Sequence, residues 1–494
     1  MISFFKKKSR VNLSDSTKKL LGKDGCKIFD ELTYPASSDL EAMKIGAWYL
    51  CHTGLQDEGL KLYENILSEY SANPKLTPPE DICLPYLQFM MFGSPDIQTN
   101  EKLFQMHTYW TDRLYEYDRK SIYHTYPNNL TSNRRIKVAY TCSFITNSVS
   151  SILLTPLLSS HNRDKVEVFM YSDEPNNNPN HVNTTGIENW RDTHDLDTVA
   201  FCELLRQDQI DILVELNGLI AGNRYPVIAR HPVPIQVAWY NYPCTTGIYG
   251  MDYTLVGEEI EITHLQKFYS ESIYQKKGCF HAMPIPINLP TITPPPFEKN
   301  GFITFGSFGQ AHKINYEQIL TWCEILRRVP NSKFFMKAGI LDQPTRSTWI
   351  HHFLSNGIDL SRLILEGNSP YNELIECYSR VDIALDTFPY NAGTTTVEAL
   401  AQGVPVISQI ADRYSSQIAK ISQETSNHPE LIAHSREGYI YKAVALANDP
   451  DRLNTYRNTL RSDFAKSNRC NVKKFITELE DAYEDMWFKF ISKN

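Results

Sequence analysis

Between Asp382 and Ser408 the chain reads DIALDTFPYNAGTTTVEALAQGVPVIS, and its chemistry sits in a few residues of that stretch. Thr394, Thr395 and Thr396 follow Gly393, and Glu398 comes next after Val397. Hydroxyls beside a glycine at a helix start suit a phosphate, because the first backbone N–H groups of a helix are unpaired and carry partial positive charge. A carboxylate one turn further in could accept hydrogen bonds from two ribose hydroxyls, and phosphate plus ribose is a nucleotide. The same letters also suit an ordinary capping box, with Thr at the N-cap and Glu at N3. A second group lies upstream in GSFGQAHKINYEQ. There Gly306 and Gly309 permit a tight loop, Gln310 and Lys313 project from it, and Asn315 with Gln318 makes an N-cap and N3 pair for the next helix. Lys313 could meet a pyrophosphate from the other side. The competing reading is a solvated loop lysine beside a self-capped helix.

The elements that must position these residues are legible as alternating periods. From Ile136 to Gly257, strand-like runs (IKVAYTCSF, VEVFMYS, IDILVEL, IQVAWYNY, YTLVG) alternate with helix-length segments. The pattern restarts after Phe302 with FITFGSF, SKFFMKA, LILEG, DIALD and VPVIS. Strands alternating with helices predict an α/β fold with parallel sheets covered on both faces. Such sheets bind ligands at the carboxyl ends of their strands. The proline-rich MPIPINLPTITPPPF between the two series predicts a stiff linker. At the end, Phe475, Leu479, Tyr483 and Trp487 have helical spacing. Before the strands, Leu40–Pro74 reads as a helical hairpin with small residues at Ala47, Gly54 and Gly59, similar to one degenerate tetratricopeptide unit. One unit cannot bury its own face, so Pro79–Phe92 and Glu101–Tyr117 are its expected packing partners. The resulting division is a tail (1–34), a helical TPR-like region (35–132), two Rossmann-like domains facing a cleft (133–290 and 291–470) and a terminal helix (471–494).

The 494 residues carry a net charge of −8 with Lys and Arg dispersed, which argues against a nucleic-acid surface. Ten cysteines without a CxxC pair read as reduced core residues, so neither a disulfide frame nor a metal site is expected. MISFFKKKSR places its apolar residues ahead of its charges, the reverse of a secretory signal, and no long apolar run occurs. The expectation is a cytoplasmic protein with no membrane span.

GSFGQAHKI with the following helix and RRVPNS, and LDTFPYNAGTTTVEALAQGVPVIS, resemble the catalytic region of the O-GlcNAc transferase and SPINDLY-like glycosyltransferases. DILVELNGLIAGNRYPVIARHPVPIQVAWYNYPCTTGIYGMDYTLV and RIKVAYTCSF resemble its N-terminal half, so the likeness runs from about Leu84 to the end. The resemblance implies a GT-B fold and an inverting, metal-independent transfer of a sugar, GlcNAc or another hexose, from a nucleotide-sugar to a Ser or Thr side chain of a protein. A UDP-linked donor is expected, as a substrate rather than a cofactor. Carried over by position, Lys313 falls on the catalytic, phosphate-binding lysine, Gln310 on a pyrophosphate contact, Thr394 and Thr395 on the diphosphate-binding threonines, and Glu398 on the ribose ligand. Gly393, Thr396 and Ser369 complete the expected nucleotide-sugar set.

The departures fall on the acceptor side and the base. Ser148, within Asn147-Ser148-Val149, stands where the animal enzymes carry a histidine, Gly393 replaces another, and Leu219 is apolar where bacterial relatives often carry histidine. Tyr371 and Leu374 replace polar uracil contacts. A serine cannot act as general base near neutral pH, so Asp208 or Asp211 is the expected carboxylate for the acceptor proton, alongside water or the donor phosphate. His312 reads as a loop residue. Two other functions fit the same fold: a catalytically inactive adaptor for a partner transferase, and a nucleotide-sugar epimerase. The helical region, read as an acceptor-docking platform or a partner surface, disfavours the epimerase. Its shortness predicts a narrow acceptor range.

Overall fold

The computed structural model describes residues 38–145, 149–174, 187–220, 222–285, 289–339 and 343–493, together with Lys18. The chain divides into two compact units that do not follow chain order. One contains Met1–Thr77, Gln88–Thr99 and Ile285–Lys466, and the other contains Pro78–Leu87, Asn100–Pro284 and Ser467–Asn494. The break at Pro284 lies inside the proline-rich stretch. Beside the linear division expected from the sequence, the first hairpin groups with Ile285–Lys466 and the last helix with Asn100–Pro284, each remote from it in sequence.

The unit of Asn100–Pro284 is built on seven parallel strands: β1 (Ile136–Cys142), β2 (Val166–Ser172), β3 (Asn189–Asp192), β4 (Ile212–Glu215), β5 (Ile235–Ala238), β6 (Tyr253–Gly257) and β7 (Ser272–Lys276). Their order is β3-β2-β1-β4-β5-β6-β7, with Ile136 opposite Val166 and Val138 opposite Ile212. The inner strands are runs of apolar residues because helices cover both faces. β3 and β7 are polar edge strands, which the apolar-run pattern did not anticipate. The Val472–Ile491 helix belongs here, with Phe475, Leu479, Tyr483 and Trp487 all buried as their spacing predicts. Its Glu480 accepts from the His161 ring at 2.9 Å, and its Tyr483 hydroxyl lies 3.0 Å from that of Tyr140 on β1. The Asn100–Leu114 helix also sits in this unit, where His107 Nε2 and the Tyr242 hydroxyl are 2.6 Å apart and Thr111 donates to the Gly247 carbonyl at 2.6 Å.

The other unit holds six parallel strands: β8 (Thr304–Ser307), β9 (Lys333–Lys337), β10 (Leu363–Glu366), β11 (Ile383–Leu385), β12 (Val406–Gln409) and β13 (Ile432–Ala433). Their order, β10-β9-β8-β11-β12-β13, repeats the logic of the first sheet. In both, the chain winds outward from a central strand and then reverses, leaving a switch point between β1 and β4 in one sheet and between β8 and β11 in the other. Ligands of open α/β sheets bind at such points.

The helices Asp39–His52 and Gln56–Ala72 form the predicted hairpin. Gly59 lets them approach closely, since a Cβ there would lie 2.6 Å from Cys51 Sγ and 2.8 Å from the Ala47 carbonyl oxygen. The hairpin turn is docked on the β8–β13 domain. Gly54 has φ +90, and a Cβ on it would come within 2.8 Å of Ile319 in the Tyr316–Arg328 helix. His352 Nε2 lies 2.9 Å from the Thr53 carbonyl oxygen. Residues 88–99 complete this packing, and Arg413 donates to the Gln98 carbonyl. Eight of the nine described cysteines are buried, and none of the nine forms a disulfide among the described residues. Among the described residues no helix is long and apolar enough to cross a membrane.

Candidate functional site

A recess of about 270 Å³, open to solvent, occupies the β8/β11 switch point. Gly306 and Ser307 of β8 form one wall, Leu385 and Asp386 at the end of β11 another, and Thr395 and Thr396 a third. Gly306 is required by its neighbour, because a Cβ there would meet Val381 at 2.6 Å. The backbone thus fixes the floor of the site before any polar side chain enters it.

The Thr394–Ala401 helix starts at this recess with Gly393 as N-cap and no side-chain cap. The capping box is therefore not formed: Glu398 lies beyond N3, and the Thr396 hydroxyl donates back to the Ala392 carbonyl at 2.9 Å. Thr394 and Thr395 are half-buried, and their hydroxyls make no hydrogen bond among the described residues. The result is a helix start with unpaired N–H groups and two available hydroxyls, the arrangement an anion needs.

Lys313 ends a short turn, Ala311–Lys313, after β8. Its ammonium lies 4.0 Å from the centre of the Tyr390 ring and 3.4 Å from the Asn391 carbonyl oxygen, three residues before Thr394. Burial pulls its pKa down to about 8, against the opposing pull of Asp386. Asp386, which the sequence reading missed, is buried and accepts from the Thr387 and Ala392 N–H groups at 2.8 Å each. Its carboxyl is pushed up to about 7 by burial. Its place at the end of an apolar strand was the available signal. Asn315 caps the next helix as expected, accepting from Gln318 N at 2.9 Å. His312 points its ring at Phe92, with centroids 4.6 Å apart, so it is a packing residue.

Glu398 is buried and accepts from the Tyr378 hydroxyl at 3.1 Å, with the Tyr371 hydroxyl also facing it. Burial raises its pKa to about 7. Tyr378 in turn stacks on Phe308, ring centroids 3.9 Å apart, and this ties the β8 loop to the threonine helix. Gln310 is exposed at the start of the lysine turn. Ser369 follows β10, its hydroxyl 3.4 Å from the Pro370 carbonyl oxygen, and Leu374 is half-buried on the Tyr371–Glu376 helix.

In the other unit, Asp208 and Asp211 lie at the amino end of β4, opposite the end where sheets of this kind bind ligands. Asp211 is fully buried and paired with Arg134 at 2.6 Å, and it also accepts from Lys137 N and Asn128. Asp208 is held by Arg191 at 3.0 Å and by the Tyr171 hydroxyl at 2.7 Å. Both carboxylates are committed to internal pairs at the wrong end of the sheet, so neither is placed to take an acceptor proton. At the carboxyl end of β4 stands a different carboxylate. Glu215 is buried, accepts from Asn217 N and Gly218 N at 2.9 and 2.8 Å, and is pushed by burial to about 8. Asn217 accepts from Ser143 N at 2.9 Å, closing the β1/β4 switch point. Leu219 is buried beside this loop, while Ser148 lies outside the described residues.

The chain is similar to the proteins described as probable UDP-N-acetylglucosamine–peptide N-acetylglucosaminyltransferase SPINDLY of Arabidopsis thaliana, 30% identical over 401 residues, and of Oryza sativa subsp. japonica, 31% identical over 402. Each alignment covers 79% of this chain and 43% of the relative, so the chain spans less than half the length of these relatives. Among solved structures, a mutant of the Thermobaculum terrenum O-GlcNAc transferase superimposes with a TM-score of 0.81 at 25% identity, covering 92% of this chain and 85% of that one. Its two Rossmann-like sheets place the fold in the GT-B class expected from the sequence. The model of glycosyl transferase family 41 matches residues 112–282 and 298–479, well over half of the sequence and both sheets, and the chain therefore belongs to glycosyl transferase family 41.

Proposed function

We propose that the protein transfers a sugar from a nucleotide-sugar to a Ser or Thr side chain of a protein, with inversion and without a metal. The observation that carries this reading is the convergence of Lys313 and the uncapped Thr394–Ala401 helix start on one switch point. As the sugar–phosphate bond breaks, negative charge grows on the leaving diphosphate. The Lys313 ammonium, the Thr394 and Thr395 hydroxyls and the helix N–H groups would meet that charge in place, without reorganisation. Glu398 would accept from the ribose, exchanging its tyrosine partners for the two sugar hydroxyls. UDP as the donor nucleotide, and GlcNAc or another hexose as the sugar, follow from the names of the relatives.

Calorimetric titration with UDP, GDP, UDP-GlcNAc, UDP-glucose and GDP-fucose tests the donor site, run on the wild type and on Lys313→Ala. The expected result is binding of UDP and a UDP-sugar, weakened by the substitution, with transfer to protein that persists in EDTA. Binding of none of the five would overturn the transferase reading and favour the adaptor.

A further inference from the structure

We propose that Gln56, on the N-terminal hairpin, is a positioning residue for Lys313, which makes the hairpin part of the donor-site machinery. The inference rests on the nucleotide-sugar reading of the site. Lys313 is carried by a turn closed by only two bonds, Lys313 N to the Gln310 carbonyl at 2.9 Å and Ile314 N to that of Ala311 at 3.1 Å. So short a turn does not hold its own geometry. Gln56, 1% exposed, donates from one nitrogen to the carbonyls on either side of Lys313, those of His312 at 3.0 Å and Ile314 at 2.8 Å. Its own Oε1 is buried with no partner among the described residues. A buried amide that leaves one end unsatisfied is held there by what the other end does.

The segment next to the hairpin grips the same turn from a second side. The Phe92 ring lies 4.6 Å from that of His312 and 4.9 Å from that of Tyr390, the ring beneath the Lys313 ammonium. Asn315 donates both to the Phe92 carbonyl at 3.4 Å and to the Phe388 carbonyl at 3.0 Å, joining the lysine turn to the loop that leads into the threonine helix. The helical region therefore reaches Lys313 through backbone carbonyls and through rings. Displacing a catalytic group by about 1 Å can cost on the order of 100-fold in rate, so a clamp on the turn bears directly on the reaction.

The test uses Gln56→Met, which keeps length and removes both donors, and Phe92→Leu, which removes the ring contacts and keeps Gln56. Hydrogen exchange followed by mass spectrometry should show residues 311–315 exchanging roughly tenfold faster in each variant, about the worth of one net hydrogen bond, while β8 and β9 stay unchanged. Calorimetry with UDP and GDP then reads a double-mutant cycle. Gln56→Met should weaken nucleotide binding in the wild-type background and have no further effect in Lys313→Ala, because it acts through the lysine. Unchanged exchange at residues 311–315, or equal weakening in both backgrounds, would overturn the proposal. If the wild type binds neither nucleotide, the donor-site reading fails and the exchange result alone decides whether Gln56 holds the turn.

Discussion

The Lys313 ammonium rests 4.0 Å from the centre of the Tyr390 ring. An aromatic face attracts a cation without neutralising it, so the ring holds the charge ready for a more negative partner. Lys313→Ala should lower donor turnover by roughly 100- to 1000-fold, the usual loss for one fixed contact to developing charge. Tyr390→Leu removes only the cradle and should cost about tenfold or less. Turnover of the donor, measured with the acceptor saturating, ranks the two.

The three threonines should separate by function. Thr394→Val and Thr395→Val each remove a hydroxyl that no other described residue uses, so nucleotide affinity should fall by about 10- to 100-fold, as for hydrogen bonds to charged groups. Neither hydroxyl caps the helix, so the melting temperature should hold. Thr396→Val removes the bond to the Ala392 carbonyl and should lower stability by about 1 kcal/mol with less effect on affinity. Calorimetry and thermal melts on the three variants give both readouts.

The pH dependence follows from two displaced groups. Lys313, drawn down to about 8, keeps its charge below that pH and loses it above. Glu398, pushed up to about 7, is charged above that pH and protonated below. The form with both charges exists between them, so kcat/KM should be bell-shaped with limbs near 7 and 8. Glu398→Gln should weaken the acid limb, leaving the part set by Asp386, whose carboxyl is pushed up to about 7 beside Lys313, and Lys313→Arg should remove the alkaline one. A flat profile from pH 6 to 9 would contradict both assignments.

Asp211→Asn tests the acceptor side. A buried carboxylate paired with Arg134 holds the start of the first sheet together, and breaking such a pair costs about 3–5 kcal/mol. The variant should melt earlier, yet turn over at the wild-type rate per folded molecule. A general base would show the opposite result, with rate lost and stability kept.

The grouping of Lys313 with the threonine helix start was legible because it is local. Strand, turn, glycine and threonines lie within one βαβ segment, and Lys313 follows its strand by a few residues. Asp386 was hidden in the same segment, since a carboxylate ending an apolar strand is commonly a solvated turn residue. The expectation for Asp208 and Asp211 could have been checked on the sequence itself, since both precede the apolar run of β4 and so lie at its amino end, away from the end where open α/β sheets bind ligands. Gln56 was not legible, because its partners at His312 and Ile314 lie 256 and 258 residues away and nothing local distinguishes a glutamine at a helix start.

That separation also bears on how the chain is made. The hairpin that ends at Ala72 packs on a domain that begins at Ile285, about 210 residues further on, so during synthesis it waits roughly 10–40 s for its partner to emerge. Gly54 and Gln56, at the hairpin turn, lack their neighbours Ile319, His312 and Ile314 for that interval. The whole first Rossmann-like sheet is translated meanwhile. The hairpin side of the Gln56 contacts is therefore synthesised well before the Lys313 turn and seated only after that turn has emerged.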